Sequence, residues 1–399
     1  MKSASVLAVV VMTAAGLLAG TGAAWPAPRI PGSDDAVLER LPSRPGDPAQ
    51  RELRSLRAAL AANPRDPARA IALARRHFEF AQAEGDPRHI GYAEAALRAF
   101  PEATATAAEL LVVRAQLAQY RHDFARALAL LERALAMEPE DPEALAWRAA
   151  IRMVQADYAG ARGDCERLAR VASELLGTGC LAHVAAATGS LRAAYARLRD
   201  TLAKHPEARA SLKQWVSILL ADMAQRLDDA RAAEAHYRAA FALDEPDQYL
   251  LAAYAEFLLD ERRPAEAAAL LRGWERSDTL LLLIAHAAKA LGGAETPRLA
   301  KTLQARYADS ALRGGARLHA QDEARFRLEF LGDAAGALTI ASQNWAEQRE
   351  AADARILLEA ALAAKAPQAA RPVLDWLSAS GFEDARLARL AADLKALSR

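Results

Sequence analysis

The chain has 399 residues, 53% apolar and 26% charged, and its 51 basic side chains balance 51 acidic ones. That content suits a folded chain with a sizeable core, and the interspersed charges of stretches such as 226–238 (RLDDARAAEAHYR) exclude the basic stripe a nucleic-acid partner requires. Alanine and leucine dominate, aromatics reach only 6%, and β-branched runs are scarce, which excludes a β-rich fold and predicts an all-α one.

In chain order, residues 1–24 read as a secretory signal peptide. Lys2 supplies the positive end, Ala4–Leu18 is an apolar run shorter than a bilayer span, and Gly20, Gly22, Ala23 and Ala24 are small enough for cleavage after Ala23 or Ala24. The alternative is a retained N-terminal anchor. No cysteine follows the run, which argues against a lipid anchor. The expectation is therefore a periplasmic or secreted protein with no stable membrane insertion after cleavage. Residues 25–48 form a proline-rich linker, with Pro26, Pro28, Pro31, Pro42, Pro45 and Pro48 blocking regular structure. Residues 49–399 make up the helical domain. Its first helix, Gln50–Ala62, carries Leu53, Leu56 and Leu60 on one face. A first helix pair follows over Pro67–Pro101, its turn swollen by the stretch AQAEGDPRHIGY.

The stretch Ala108–Pro142 sets the pattern for the rest. Leu110, Leu111, Ala115, Leu117 and Ala118 fall on one stripe. Phe124, Ala127, Leu128, Leu131, Ala134 and Leu135 fall on a second, at helical spacing. Asp123 opens the second helix, Pro139 stops it, and Asp141 with Pro142 starts the next pair. The small residue of the second helix recurs at Ala127, Ala161, Ala194, Ala233, Ala267, Ala300, Ala337 and Ala370, at gaps of 34, 33, 39, 34, 33, 37 and 33. Four residues earlier stand Asp123, Asp157, Ser190, Asp229, Thr296 and Asp333, and Pro264, Pro297 and Pro367 mark other first turns. The two long gaps place insertions near Lys204–Ser211 and Ser310–Ala316. The final helix, Asp384–Leu397, directs Leu387, Leu390, Leu394 and Leu397 inward and leaves Arg386, Arg389, Asp393 and Lys395 for water.

This pattern resembles the tetratricopeptide (TPR) repeat, whose period is about 34 residues. The small crossing, inter-repeat and closing positions of that family fall at Ala115, Ala127, Ala134 and Pro139, while Leu111 and Ala115 stand where it has tryptophan and glycine. The resemblance implies a right-handed superhelical solenoid of antiparallel helix pairs, about nine repeats plus terminal capping helices. It also implies a concave groove lined by the first helix of each pair. Carried over position by position, the groove residues are Gln116, Gln119, Tyr120, Trp147, Met153, His183, Trp215, Asp222, Arg226, Tyr249, Glu256, Lys289 and Phe326, with packing between repeats the equal alternative for Trp147 and Trp215. The lysine–asparagine carboxylate clamp of one subgroup is not matched, since the only asparagines are Asn63 and Asn344.

The only cysteines, Cys165 and Cys180, fall across a helical hairpin whose turn lies near Val171–Glu174. They read either as a disulfide or as two buried thiols, and export favours the disulfide. Gly177–Ala182 superficially fits a dinucleotide-binding glycine loop but follows a helix, so it reads as turn glycines at a repeat junction, with no cofactor. The eight histidines (His77, His89, His122, His183, His205, His236, His286 and His319) share no metal-binding i, i+4 spacing, and most read as solvated or interfacial. Nucleophile-elbow and phosphate-loop motifs are missing. The reading is a non-enzymatic scaffold or adaptor of the cell envelope that binds a peptide or partner helix in its groove. The alternative is a self-associating structural solenoid without a groove ligand.

Overall fold

The computed structural model describes residues 48–399 apart from 244–246, 313–314 and 398–399, and the side chains of 104, 316 and 317. The expected signal peptide and all of the linker but Pro48 lie outside the described residues. Contacts divide the chain into Met1–Arg51 and Glu52–Arg399, and all the helix pairs fall in the second unit.

The described residues are helical throughout, with no strand among them. Helix α1 (Pro48–Ala62) starts at its proline, two residues earlier than the apolar pattern indicated. Nine antiparallel pairs follow. They are α2 (Pro67–Glu84) with α3 (Arg88–Ala96), α4 (Ala108–Tyr120) with α5 (Phe124–Met137), and α6 (Pro142–Val154) with α7 (Tyr158–Val171). Next come α8 (Glu174–Ala187) with α9 (Leu191–Lys204), α10 (Ala210–Arg226) with α11 (Ala230–Phe241), and α12 (Gln248–Asp260) with α13 (Pro264–Leu270). The last three are α14 (Asp278–Ala290) with α15 (Thr296–Leu312), α16 (Ala320–Phe326) with α17 (Ala334–Glu347), and α18 (Ala351–Ala363) with α19 (Arg371–Ser380). Helix α16 continues into a widened π turn over Arg327–Leu331, and α20 (Ala385–Leu397) closes the chain. This is a TPR-like, all-α repeat fold.

One turn geometry connects each pair. Every turn between first and second helix holds one left-handed residue. Glycine fills it in four pairs, at Gly85, Gly189, Gly292 and Gly332, and His122, Ala156, Asp228, Arg262 and Lys365 fill it in the others at φ of 53–64°. In every pair but the first the next residue then donates its N–H back into the first helix, as Asp123 N does to Ala118 O at 2.9 Å and Asp157 N to Arg152 O at 2.8 Å. That bond recovers a carbonyl which the helix end would otherwise leave unpaired. Asp123, Asp157, Asp229 and Asp333 accept from the backbone N–H three residues on, and so cap the second helix.

At the crossings Ala127, Ala161, Ala233, Ala267, Ala337 and Ala370 are 0% exposed and Ala194 4%. Ala300 departs from this: it is half-buried, and the neighbouring Leu299 and Leu303 take the fully buried positions. The long stretch in the first pair does not swell the turn. It lengthens α2 to 18 residues, against 13 in α4. Gly177 and Gly179 are not turn glycines. Both lie inside α8, where a Cβ would stand 2.7 Å from the Ala169 Cα and 2.6 Å from the Trp215 ring. They are small because two neighbours pack directly onto the helix. His77 and His286 are buried rather than solvated.

The Cys165 and Cys180 sulfurs are bonded at 2.01 Å, stapling α7 to α8 across 15 residues of chain. Beside them Asp164, 2% exposed, takes a bidentate pair from Arg148 at 2.6 and 2.9 Å and a third bond from Arg152 at 2.8 Å.

The repeats also meet far along the chain. Gly85, at the end of α2, faces the start of α12: a Cβ there would come within 2.1 Å of Gln248 Oε1. Arg349 N donates to Val154 O at 2.7 Å, and Trp376 Nε1 to the Tyr158 hydroxyl at 3.0 Å. Arg386 reaches Asp260 at 3.3 Å. The later pairs thus pack on the turn-bearing edge of the earlier ones. The closing helix is correspondingly less free than its sequence suggested. Arg386 is paired, and Leu397 is 45% exposed rather than inward.

Two outcomes check this packing. Ala161→Leu will overpack a crossing and lower stability by roughly 1–3 kcal/mol in thermal or denaturant unfolding; an unchanged midpoint would contradict the register. Denatured, unreduced protein will show no titratable thiol. Reduction will lower its midpoint, the chain-entropy value of such a loop being on the order of 3 kcal/mol.

Candidate functional site

The residues expected in the groove separate into three groups. Most are part of the repeat packing. Trp147 lies edge-on to Phe78 with ring centroids 5.8 Å apart, Tyr120 lies 6.4 Å from the same ring, and Trp215 packs over Gly179. Met153 and Phe326 are 9% and 2% exposed. Gln116 is buried and donates to Glu143 at 2.7 Å, while Gln119 is half-buried.

The second group is ion-paired. Glu256 holds Arg325 at 2.8 Å and lies 3.7 Å from Arg355, whose guanidinium also grips Asp260 at 2.8 Å. Lys289 donates to the Glu329 carbonyl and stands 5.1 Å over the Phe330 ring. Arg226 is 4% exposed. It donates from Nε to Glu383 O at 3.0 Å and from Nη2 to Ala186 O, and it covers the Phe382 ring at 3.9 Å.

The third group, His183, Asp222 and Tyr249, forms an accessible patch on the inner wall. Tyr249 of α12 is 61% exposed, yet burial pushes its phenol well above the usual range, helped by Glu350, Asp222 and Asp247. The ring is thus reached by water on one side and crowded by protein around it. The same holds for Glu350, which precedes α18: it is exposed, but burial raises its carboxyl to about 7, with Asp353 and Asp222 adding repulsion. Asp353, 1% exposed, is raised to about 6 chiefly by burial. It accepts from Asn344 Nδ2 at 2.7 Å and from the Glu350 N–H at 3.1 Å. Burial holds His183 below its ordinary range. Asp222 of α10 stands 3.4 Å from Arg226.

Helices α10 and α12 of neighbouring pairs and the much later start of α18 therefore bring two carboxylates, Asp222 and Glu350, near one phenol ring, Tyr249. Such a face suits a cationic side chain laid against an aromatic ring. The register placed Asp222 and Tyr249 there. It missed Glu350 and Asp353, because they sit where a helix pair begins and only the closure of later pairs over earlier ones brings them in. Among the described residues, no group of three or more histidine, cysteine or acidic side chains is arranged to hold a metal ion.

No protein-family model matches the sequence, and no curated protein is significantly similar to it. Among solved structures, the chain is similar to a tetratricopeptide repeat protein from Parabacteroides merdae at 18% identity, over 60% of this chain and 92% of that one, with a TM-score of 0.44. Yeast Tom70 is similar at 15% identity over 83% of this chain and 60% of that one, with a TM-score of 0.38. The Cut9–Hcn1 hetero-tetramer structure of the APC/C gives 10% identity over 87% and 52%, with a TM-score of 0.36. The fold is read from this chain's own helix pairs.

The carboxyl of Glu350 gives a pH test. Its value in the fold, about 7, lies above its ordinary one of 4.5, so the fold favours the protonated form. The associated stability is complete below about pH 4.5 and is lost as pH rises through 7. Glu350→Gln will therefore match the parent's thermal midpoint near pH 4 and exceed it at pH 8. The gain should be on the order of 1 kcal/mol once solvent screening is allowed for. Equal differences at both pH values would remove the electrostatic reading of this wall.

Proposed function

We propose that the chain is a non-enzymatic protein-binding scaffold of the cell envelope, whose inner wall holds a basic segment of a partner protein. The observation that carries this is the exposed Tyr249 ring set among Asp222, Asp247 and Glu350. An aromatic surface supplies contact area at little cost in side-chain entropy, and surrounding carboxylates select for positive charge. Most of the other expected groove residues are engaged in packing or ion pairs, and Asp222 also meets Arg226 at 3.4 Å, which leaves the Tyr249 ring as the exposed aromatic among them. Export is supported by the Cys165–Cys180 disulfide, a bond that persists in oxidising compartments, and by the signal-like residues 1–24.

The test uses purified full-length protein as bait in envelope extract beside a Tyr249→Ala/Asp222→Asn variant. Trp215 is unsuitable for this purpose, because it is packed against α8. A partner captured by the parent and lost by the variant, at unchanged helical circular dichroism, is the expected result. A partner retained by both, or none captured by the parent, would reject the inner-wall reading.

A further inference from the structure

The apolar clusters of the repeats each draw on successive pairs, with one exception among the described residues. Phe382, in the link between α19 and α20, packs against the C-terminal cluster containing Trp345, Trp376 and Leu387. It packs equally against the cluster of Ala149, Met153, Cys165 and Val184, some two hundred residues earlier. The adjacent contacts are polar and specific. Arg226, almost wholly buried, covers the Phe382 ring at 3.9 Å and bonds the Glu383 carbonyl at 3.0 Å. The Glu383 carboxylate accepts the first N–H of α9, from Leu191, at 2.9 Å. That is the capping role the local Ser190 leaves unfilled, since its side chain makes no such bond. The left-handed turns of Gly189 and Gly381 meet here, a Cβ on Gly381 standing 3.4 Å from the Gly189 Cα. A cavity of about 460 Å³ opens beside the ring, bounded by Leu191, Leu227 and Leu377.

We propose that Phe382–Glu383 is an internal ligand, and that the slot holding it takes an aromatic residue followed by a carboxylate from a partner protein when this clasp releases. Each requirement has a counterpart in the slot. The Met153–Val184 cluster and the flat face of Arg226 receive the ring, and the open amino end of α9 receives the acid. Around the slot the seam carries one exposed ion pair, Arg389–Asp228 at 3.4 Å, of the weak, salt-screened kind, beside the half-buried pair Arg386–Asp260 at 3.3 Å. Release of the clasp breaks the Arg226–Glu383 and Glu383–Leu191 bonds, which a partner carrying the same two groups restores. The slot adjoins the inner wall through the Arg226–Asp222 pair at 3.4 Å, but none of its ring or cap contacts involves Tyr249, so the inference is argued independently of what that ring binds.

The test is fluorescence anisotropy of a labelled peptide copying residues 380–387 (SGFEDARL), titrated with full-length protein. In the parent the slot is filled in cis, and the tethered segment outcompetes the free one. Phe382→Ala/Glu383→Ala should empty it and bind the peptide more tightly than the parent by roughly tenfold or more. Adding Arg226→Ala should return binding to the parent level. Should the double variant lose its helical circular dichroism, Glu383→Gln replaces it; this keeps the ring, and a smaller gain is expected. Peptide binding no tighter than the parent's in the folded variant, or binding indifferent to Arg226→Ala, would overturn the proposal.

Discussion

The distance of closest approach between the two helices of a pair governs this structure. Alanine at the crossing allows the backbones to come together, and the buried leucines on either side fill what the small side chain leaves open. A turn of fixed shape must then return the chain within a few residues. The left-handed residue in every such turn meets that need. Where it is not glycine it carries a local steric cost of roughly 1–2 kcal/mol. The returning N–H bond offsets that cost, with an aspartate cap added after His122, Ala156 and Asp228.

Solenoids of this kind ordinarily touch only their neighbours, and their stability is then a sum over adjacent pairs. The seam breaks that rule. Arg349, Trp376, Phe382, Glu383 and Arg386 join repeats separated by most of the domain. Its chemistry differs from that of the crossings: the crossings are apolar, whereas the seam is backbone bonds, ion pairs and a single shared ring. Apolar burial stabilises in proportion to area and is insensitive to salt, while exposed ion pairs are weak and screened.

Closure also creates the electrostatics of the interior. Burial raises Glu350 and Asp353 toward neutral pH, and at Glu350 the charges of Asp353 and Asp222 add to it. A short stretch of wall thus becomes acidic and aromatic at once, while the adjoining wall cancels its own charges through Glu256, Asp260, Arg325 and Arg355.

The sequence by itself determined the repeating unit. Alanine spacing, aspartate caps and prolines in phase are local signals, because a helix, its ends and its crossing residue are decided within about thirty-four residues. They located the helix pairs and most of the buried crossings, and they failed where local cues mislead, as at Ala300, at the glycines of α8 and at the long α2. Only the tertiary structure decided which wall residues remain accessible. By register Arg226 looks like a groove residue, and Trp147 and Trp215 fit either the groove or the packing between repeats. Each is taken up by another part of the chain: Phe78, α8 or the Phe382–Glu383 link. The reason is accumulation. Small rotations at each repeat set whether distant turns meet, and that sum over nine pairs is written in no single stretch of sequence.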